Sequence, residues 1–116
     1  MSQSIYPEVT SEVARKRREA APDQYQAFRN FSSQAFAEGE LDAKTKQLIA
    51  VAAAHVTQCP YCIEGHTKQT LQAGATEQQI MEAIWVAAEL RAGAAYAHSA
   101  IALKTIQQNE PQSGES

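Results

Sequence analysis

The sequence predicts an all-α domain of about five to six helices. Three observations carry that prediction. No window shows strict alternation of apolar and polar residues, and β-branched clusters are missing, so strand signals fail. Alanine, glutamine, glutamate and lysine dominate, and all four favour helix. Glycine and proline are sparse, five and four in 116 residues, and several fall where helices should begin or end.

The first segment, from about Glu8 to Ala21, is charged and closes at Pro22. Its cation run Arg15-Lys16-Arg17-Arg18 reads as a solvated helix face rather than a binding patch. A second amphipathic stretch runs from about Asp23 to Ala37. Tyr25, Phe28, Phe31 and Phe36 recur there at spacings of three and five and mostly share one face, so the rings are expected in the core. Gly39 is expected to stop this helix, and Asp42 offers an N-cap oxygen to the next. Helix three, about Ala43 to Thr57, carries Leu48, Ile49, Val51, Ala52 and Val56 and is apolar enough to be central and mostly buried.

Pro60 suits a first helical position, where its missing N–H costs nothing. Helix four should run from Pro60 to about Ala73 and end at Gly74, the residue that tolerates a left-handed backbone. Thr76 followed by Gln79 reads as a capping box for a fifth helix from about Glu77. That helix places Ile80, Ile84 and Ala87 or Ala88 on one stripe, with Met81 and Trp85 expected in the core. Arg91-Ala92-Gly93 is expected to kink or break it before a last helix through Tyr96, Ala100, Leu103 and Ile106. His98, beside Tyr96, reads as a packing or interface residue. Residues after Gln108 are expected to be disordered. The chain thus reads as a single domain, residues 1–116, with its core at about 23–108 and a tail at 109–116.

A mass of 12.6 kDa fits one domain. Ten basic against thirteen acidic residues give a net charge of −3, which argues against nucleic acid or an anionic membrane as partner. No stretch approaches the roughly 20 apolar residues that spanning a membrane needs. The first residues lack the charged start and apolar run of a secretory signal, so a cytoplasmic protein is expected. Twenty-two residues are alanine, while Leu, Ile, Val, Met, Phe and Trp together number 23. So few large side chains make a thin core for a lone monomer, and an oligomer is expected.

The chemistry concentrates in His55-Val-Thr-Gln-Cys59-Pro-Tyr-Cys62-Ile-Glu-Gly-His66. Both cysteines of the protein and two of its three histidines fall in this run. If Pro60 opens a helix, Cys59 sits at its cap and Cys62 in its first turn, where unsatisfied N–H groups and the helix dipole favour a thiolate. His66, one turn after Cys62 on the same face, can take a proton from its thiol. On this reading Cys62 has the depressed thiol pKa. A disulfide can close between Cys59 and Cys62, but so small a ring makes a poor structural staple. Cys-x-x-Cys in a reducing compartment points instead to redox or metal chemistry. A structural zinc on His55, Cys59, Cys62 and His66 has the right ligand count, although finger-type sites draw ligand pairs from two separated segments.

These residues resemble a known family. Cys-x-x-Cys-x-x-x-His, preceded by Leu41-Asp-x-Lys-Thr-Lys-x-Leu-Ile49 and followed by Ala73-Gly-Ala-Thr-x-x-Gln-Ile80, is similar to the carboxymuconolactone decarboxylase superfamily, in its alkylhydroperoxidase D-like branch. The resemblance covers roughly residues 25 to 106. It implies an all-helical fold assembling as homo-trimers or homo-hexamers, and peroxide reduction or electron relay through the cysteine pair. Cys62 would be the peroxidatic thiol that becomes a sulfenic acid, Cys59 would resolve it as a disulfide, and His66 would relay the proton. The decarboxylase branch generally lacks the cysteine pair, which disfavours lactone decarboxylation.

The chain departs from the family pattern at one position. The family's proton relay usually includes a glutamate twelve residues before the first cysteine, and here that residue is Gln47. A glutamine orients a partner by hydrogen bonding but accepts no proton as a base. His55, four residues before Cys59, is the candidate substitute, its alternative being a hydrogen-bonded core or interface histidine. Glu64 is expected to be a solvated charge. The expected function is therefore a thiol-dependent peroxidase or disulfide oxidoreductase acting on hydrogen peroxide or a small organic hydroperoxide. The alternative is a non-catalytic oligomer holding zinc. No flavin, nicotinamide or phosphate-loop motif is present, so no cofactor is expected. Turnover electrons would come from another protein or a small dithiol.

Overall fold

The structure is a computed structural model that describes residues 5–111. Residues 112–116 of the expected tail and the first four residues lie outside that range. Five α-helices are present among the described residues: α1 Ser11–Ala20, α2 Pro22–Phe36, α3 Ala43–Thr57, α4 Pro60–Gln72 and α5 Glu77–Gln108. No strand occurs among the described residues. None of these helices is long and apolar enough to cross a membrane.

The chain divides into two compact units, Met1–Glu38 and Gly39–Ser116. In the first, the Thr10 hydroxyl accepts the Val13 N–H and caps α1, and Pro22 occupies the first position of α2. Neither helix buries a residue. The expectation that the α2 rings are core is therefore corrected: Phe28 and Phe31 are well exposed, and Tyr25 and Phe36 are half-buried. The two rings do meet each other, with centroids 6.5 Å apart. α2 ends at Phe36, and Ala37 turns to an extended backbone before Gly39.

The second unit is a three-helix body in which α3 packs on both α4 and α5. Asp42 caps α3, its carboxylate accepting the Thr45 N–H at 2.8 Å. The Thr45 hydroxyl and then this N–H hold the Asp42 carboxyl below its usual range, the charged form being the one the helix N-terminus favours. Val51, Ala75 and Ile80 form the core, with Leu48 and Ile84 packed against them. Ala54 and Ala87 are also buried, and their small side chains permit close helix approach. Only part of α3 is buried, however, since Ile49 and Val56 are exposed. Gly74 adopts φ +96° and turns the chain from α4 toward the complete Thr76–Gln79 capping box.

The expected break at Arg91-Ala92-Gly93 does not occur, and α5 runs unbroken for 32 residues. One mid-helix glycine costs about 1 kcal/mol relative to alanine, and the alanine-rich sequence around it absorbs that cost. Arg91 has a different role. Its guanidinium donates to the Val56 carbonyl at 2.7 Å and so satisfies an orphan acceptor in the last turn of α3. Met81 and Trp85, expected in the core, lie on the exposed side of α5. They fall off the Ile80–Ile84–Ala87 stripe that faces α3.

Candidate active site

Two helix ends build the site. α3 closes at Gln58, whose left-handed backbone (φ 60°) reverses the chain, and its N–H caps the Ala54 carbonyl. The Cys59 N–H bonds that same carbonyl at 3.2 Å. Cys59 is then the N-cap of α4, with Pro60 at the first helical position, as the sequence predicts. Its sulfur accepts the backbone N–H of Cys62 at 3.3 Å. Both cysteines are half-buried thiols with no disulfide between them.

The protonation order of the pair is the reverse of the expectation. The neighbouring Cys62 thiol, with the backbone N–H groups of Cys62 and Tyr61, draws Cys59 below the ordinary thiol value. The nearby Cys59 sulfur, together with burial and the negative charge of Cys59, pushes Cys62 up. The helix start does favour a thiolate, but the cap position, not the first turn, receives its N–H groups.

His66 stands one turn after Cys62 on α4. Its Nδ1 lies 2.9 Å from Oε1 of Gln47, which is buried on α3. An amide oxygen only accepts, so with Oε1 facing the ring it is Nδ1 that carries a proton. The Gln47 amide nitrogen in turn donates to Oε1 of Gln69 at 3.0 Å. Thr70, fully buried, completes the joint. Its hydroxyl faces the Gln47 carbonyl at 3.2 Å and also the His66 carbonyl of its own helix.

Gln47, Cys59, Cys62 and His66 are thus organised by the α3–α4 joint, while His55 is not drawn into it. The His55 Nδ1 bonds the Val51 carbonyl of its own helix at 2.8 Å. At about 100° per residue, His55 sits some 80° around α3 from Gln47. That bond fits the alternative reading of His55 as a hydrogen-bonded core or interface histidine. No group of three or more His, Cys, Asp or Glu side chains among the described residues could hold a metal ion, so the proposed four-ligand zinc arrangement is not assembled. Glu64 is exposed and pairs with Lys68 at 3.4 Å, and His98 is exposed on α5. Sequence reasoning missed Gln69 and Thr70. Their signal was present: they lie seven and eight residues after Cys62, on the same helical stripe as His66.

The same residues are matched by a sequence model of the carboxymuconolactone decarboxylase family over residues 22–105. The chain belongs to that family. An uncharacterized protein 4 in the cox locus of Paracoccus denitrificans is 66% identical over 80 residues, covering 69% of this chain and 72% of the relative. A carboxymuconolactone decarboxylase family protein of Legionella pneumophila, crystallised in apo form, superposes with a TM-score of 0.67 at 31% identity, covering 86% of this chain and 88% of that one. A family member from Thermotoga maritima, whose structure is described in connection with an antioxidative response, superposes with a TM-score of 0.53 at 28% identity, over 75% of this chain and 96% of its own. In the present chain Cys59 caps α4, Cys62 sits in its first turn, and a glutamine sits behind the histidine.

Proposed function

We propose that this carboxymuconolactone decarboxylase family protein is a thiol-dependent peroxidase or disulfide oxidoreductase of the alkylhydroperoxidase D-like kind, reducing hydrogen peroxide or a small organic hydroperoxide. The observation that carries the reading is the Cys59–Cys62 hydrogen-bonded pair at the start of a helix whose next turn holds His66. In this mechanism the pair first loses one proton to Nε2 of His66. The remaining proton, resting on Cys62, passes to the neighbouring Cys59 sulfur and leaves the charge on Cys62. The Cys62 sulfur attacks the outer peroxide oxygen, the O–O bond breaks, and the His66 imidazolium protonates the departing oxygen. Cys59 then displaces water from the Cys62 sulfenic acid and a disulfide forms. Two electrons have passed to the peroxide, and a dithiol from a small molecule or a protein returns them.

The test is a free-thiol count on reduced protein before and after one equivalent of hydrogen peroxide. Loss of both thiols, reversed by a dithiol and blocked by Cys62→Ser, is the expected result. Persistence of both thiols overturns the reading for this substrate. Assembly as a homo-trimer or homo-hexamer belongs to the same proposal. It is supported by the large apolar side chains that one chain leaves exposed on α5, among them Trp85, Tyr96, Ile101 and Leu103.

A further inference from the structure

Gln69 attracts no notice in the sequence, yet it ends a side-chain chain that leads out of the site through Gln47. The link runs from Gln69 Oε1 to Gln47 Nε2 and from Gln47 Oε1 to His66 Nδ1. Each amide has one accepting and one donating end, so the chain has a direction. If Gln69 presents oxygen, Gln47 must turn its nitrogen toward Gln69 and its oxygen toward His66, and the imidazole proton is held on Nδ1. If position 69 presents a donor instead, Gln47 reverses, its nitrogen faces Nδ1, and the ring proton moves to Nε2. No other order leaves both contacts as donor–acceptor pairs. Gln47 is buried, where two facing acceptors or two facing donors carry a penalty of desolvation. Gln69 is exposed and is the end of the chain that can be exchanged without disturbing the core.

We propose that Gln69 is a positioning residue that acts through Gln47 to set the His66 tautomer, keeping Nε2 as the proton acceptor for the cysteine pair. The inference rests on the reading of His66 as the proton relay. With a glutamate in place of Gln47, the direction would be set by the carboxylate itself, which only accepts. With an amide it follows the end that position 69 turns toward Gln47, which in this structure is the Gln69 oxygen. The exposed location also accounts for how an order can be imposed on a buried pair from the protein surface.

Two variants of opposite polarity test this. Gln69→Glu presents only acceptors and preserves the observed direction, whereas Gln69→Lys presents only donors and reverses it. The imidazole nitrogen resonances of His66 in selectively ¹⁵N-labelled, reduced protein report the tautomer at about pH 8.5, where a free imidazole, with its pKa of about 6.5, is neutral. The expected result is proton on Nδ1 in the parent and in Gln69→Glu, and on Nε2 in Gln69→Lys. Thiol oxidation by hydrogen peroxide should fall about tenfold or more in Gln69→Lys alone, general acid–base catalysis contributing about a hundredfold or more when fully lost. An unchanged tautomer in Gln69→Lys, with the circular dichroism spectrum and melting temperature of the parent, overturns the proposal. The tautomer is read without peroxide, so its reversal in a protein whose thiols resist oxidation would sustain the role of Gln69 while refuting peroxidase function.

Discussion

The Nδ1 atom of His66 lies 2.9 Å from the amide oxygen of Gln47, across the joint between α4 and α3. This contact occupies the place where the family pattern has a glutamate, and it divides the carboxylate's two duties. The amide keeps the duty of orienting the ring. It lacks the negative charge that would stabilise an imidazolium.

Gln47→Glu should therefore raise the rate of thiol oxidation by peroxide, by about tenfold on the scale of general acid–base effects. The carboxylate would accept the Nδ1–H as the amide does. Its second oxygen would face Oε1 of Gln69, and the exposed Gln69 amide would turn to donate. Gln47→Leu should have the opposite effect, since it leaves Nδ1 without its acceptor. Stopped-flow loss of thiols, with the fold checked by circular dichroism, reads both. No gain in Gln47→Glu would mean that imidazolium charge is not what limits the step.

The thiols should titrate in two separated steps, with the lower one at Cys59. The hydrogen bonds that Cys59 accepts stabilise its anion, so its reactivity should appear below the ordinary thiol value of about 8.5. Cys62 loses its proton against the neighbouring negative charge and should react only above that value. Alkylation against pH, followed by peptide mapping, locates each step. Lower-pH labelling at Cys62 instead would show that charge at rest sits on the first turn rather than at the cap.

Thr70→Val should cost about 1 kcal/mol of stability, the net worth of a typical buried hydrogen bond. The Thr70 hydroxyl bonds the α3 backbone at Gln47 from α4, and valine fills nearly the same volume without it. Urea unfolding measures the change. A loss confined to stability, with unchanged thiol reactivity, is not expected: loosening this joint should also slow oxidation, because Gln47 and His66 face each other across it.

The assembly should be measurable by light scattering on size-fractionated protein, with a mass of three or six chains. Leu103→Asp places a charge on the exposed apolar side of α5, outside the core of one chain, and should shift that mass toward the monomer. A monomer in the parent protein would contradict the expected trimer or hexamer.

Much was legible in the sequence because it is enforced locally. Asp42, Pro60, Gly74 and the Thr76–Gln79 box act within a turn of their own helix ends, so α3, α4 and the start of α5 fall where these residues place them. The family likewise follows from a short run, Cys59 to His66, whose spacing is a property of one helix. The break expected at Gly93 failed because a single glycine weakens a helix without ending it, and only the bond from Arg91 to Val56 shows what that region does. Phe28, Phe31 and Trp85 were assigned to the core by spacing, but spacing reports which residues share a face, not what that face meets.

What the tertiary structure alone decided lies between helices. That Gln47 meets His66, that Gln69 reaches Gln47 and that Thr70 bridges the two backbones each joins positions 19 to 23 apart in the chain. The bond of His55 to Val51, by contrast, stays within α3. The preference for charge on Cys59 over Cys62 depends on which sulfur receives the backbone N–H, a matter of angstroms at one helix cap. Residue types and spacing determine which groups are available for chemistry. Only packing determines the direction in which their protons point.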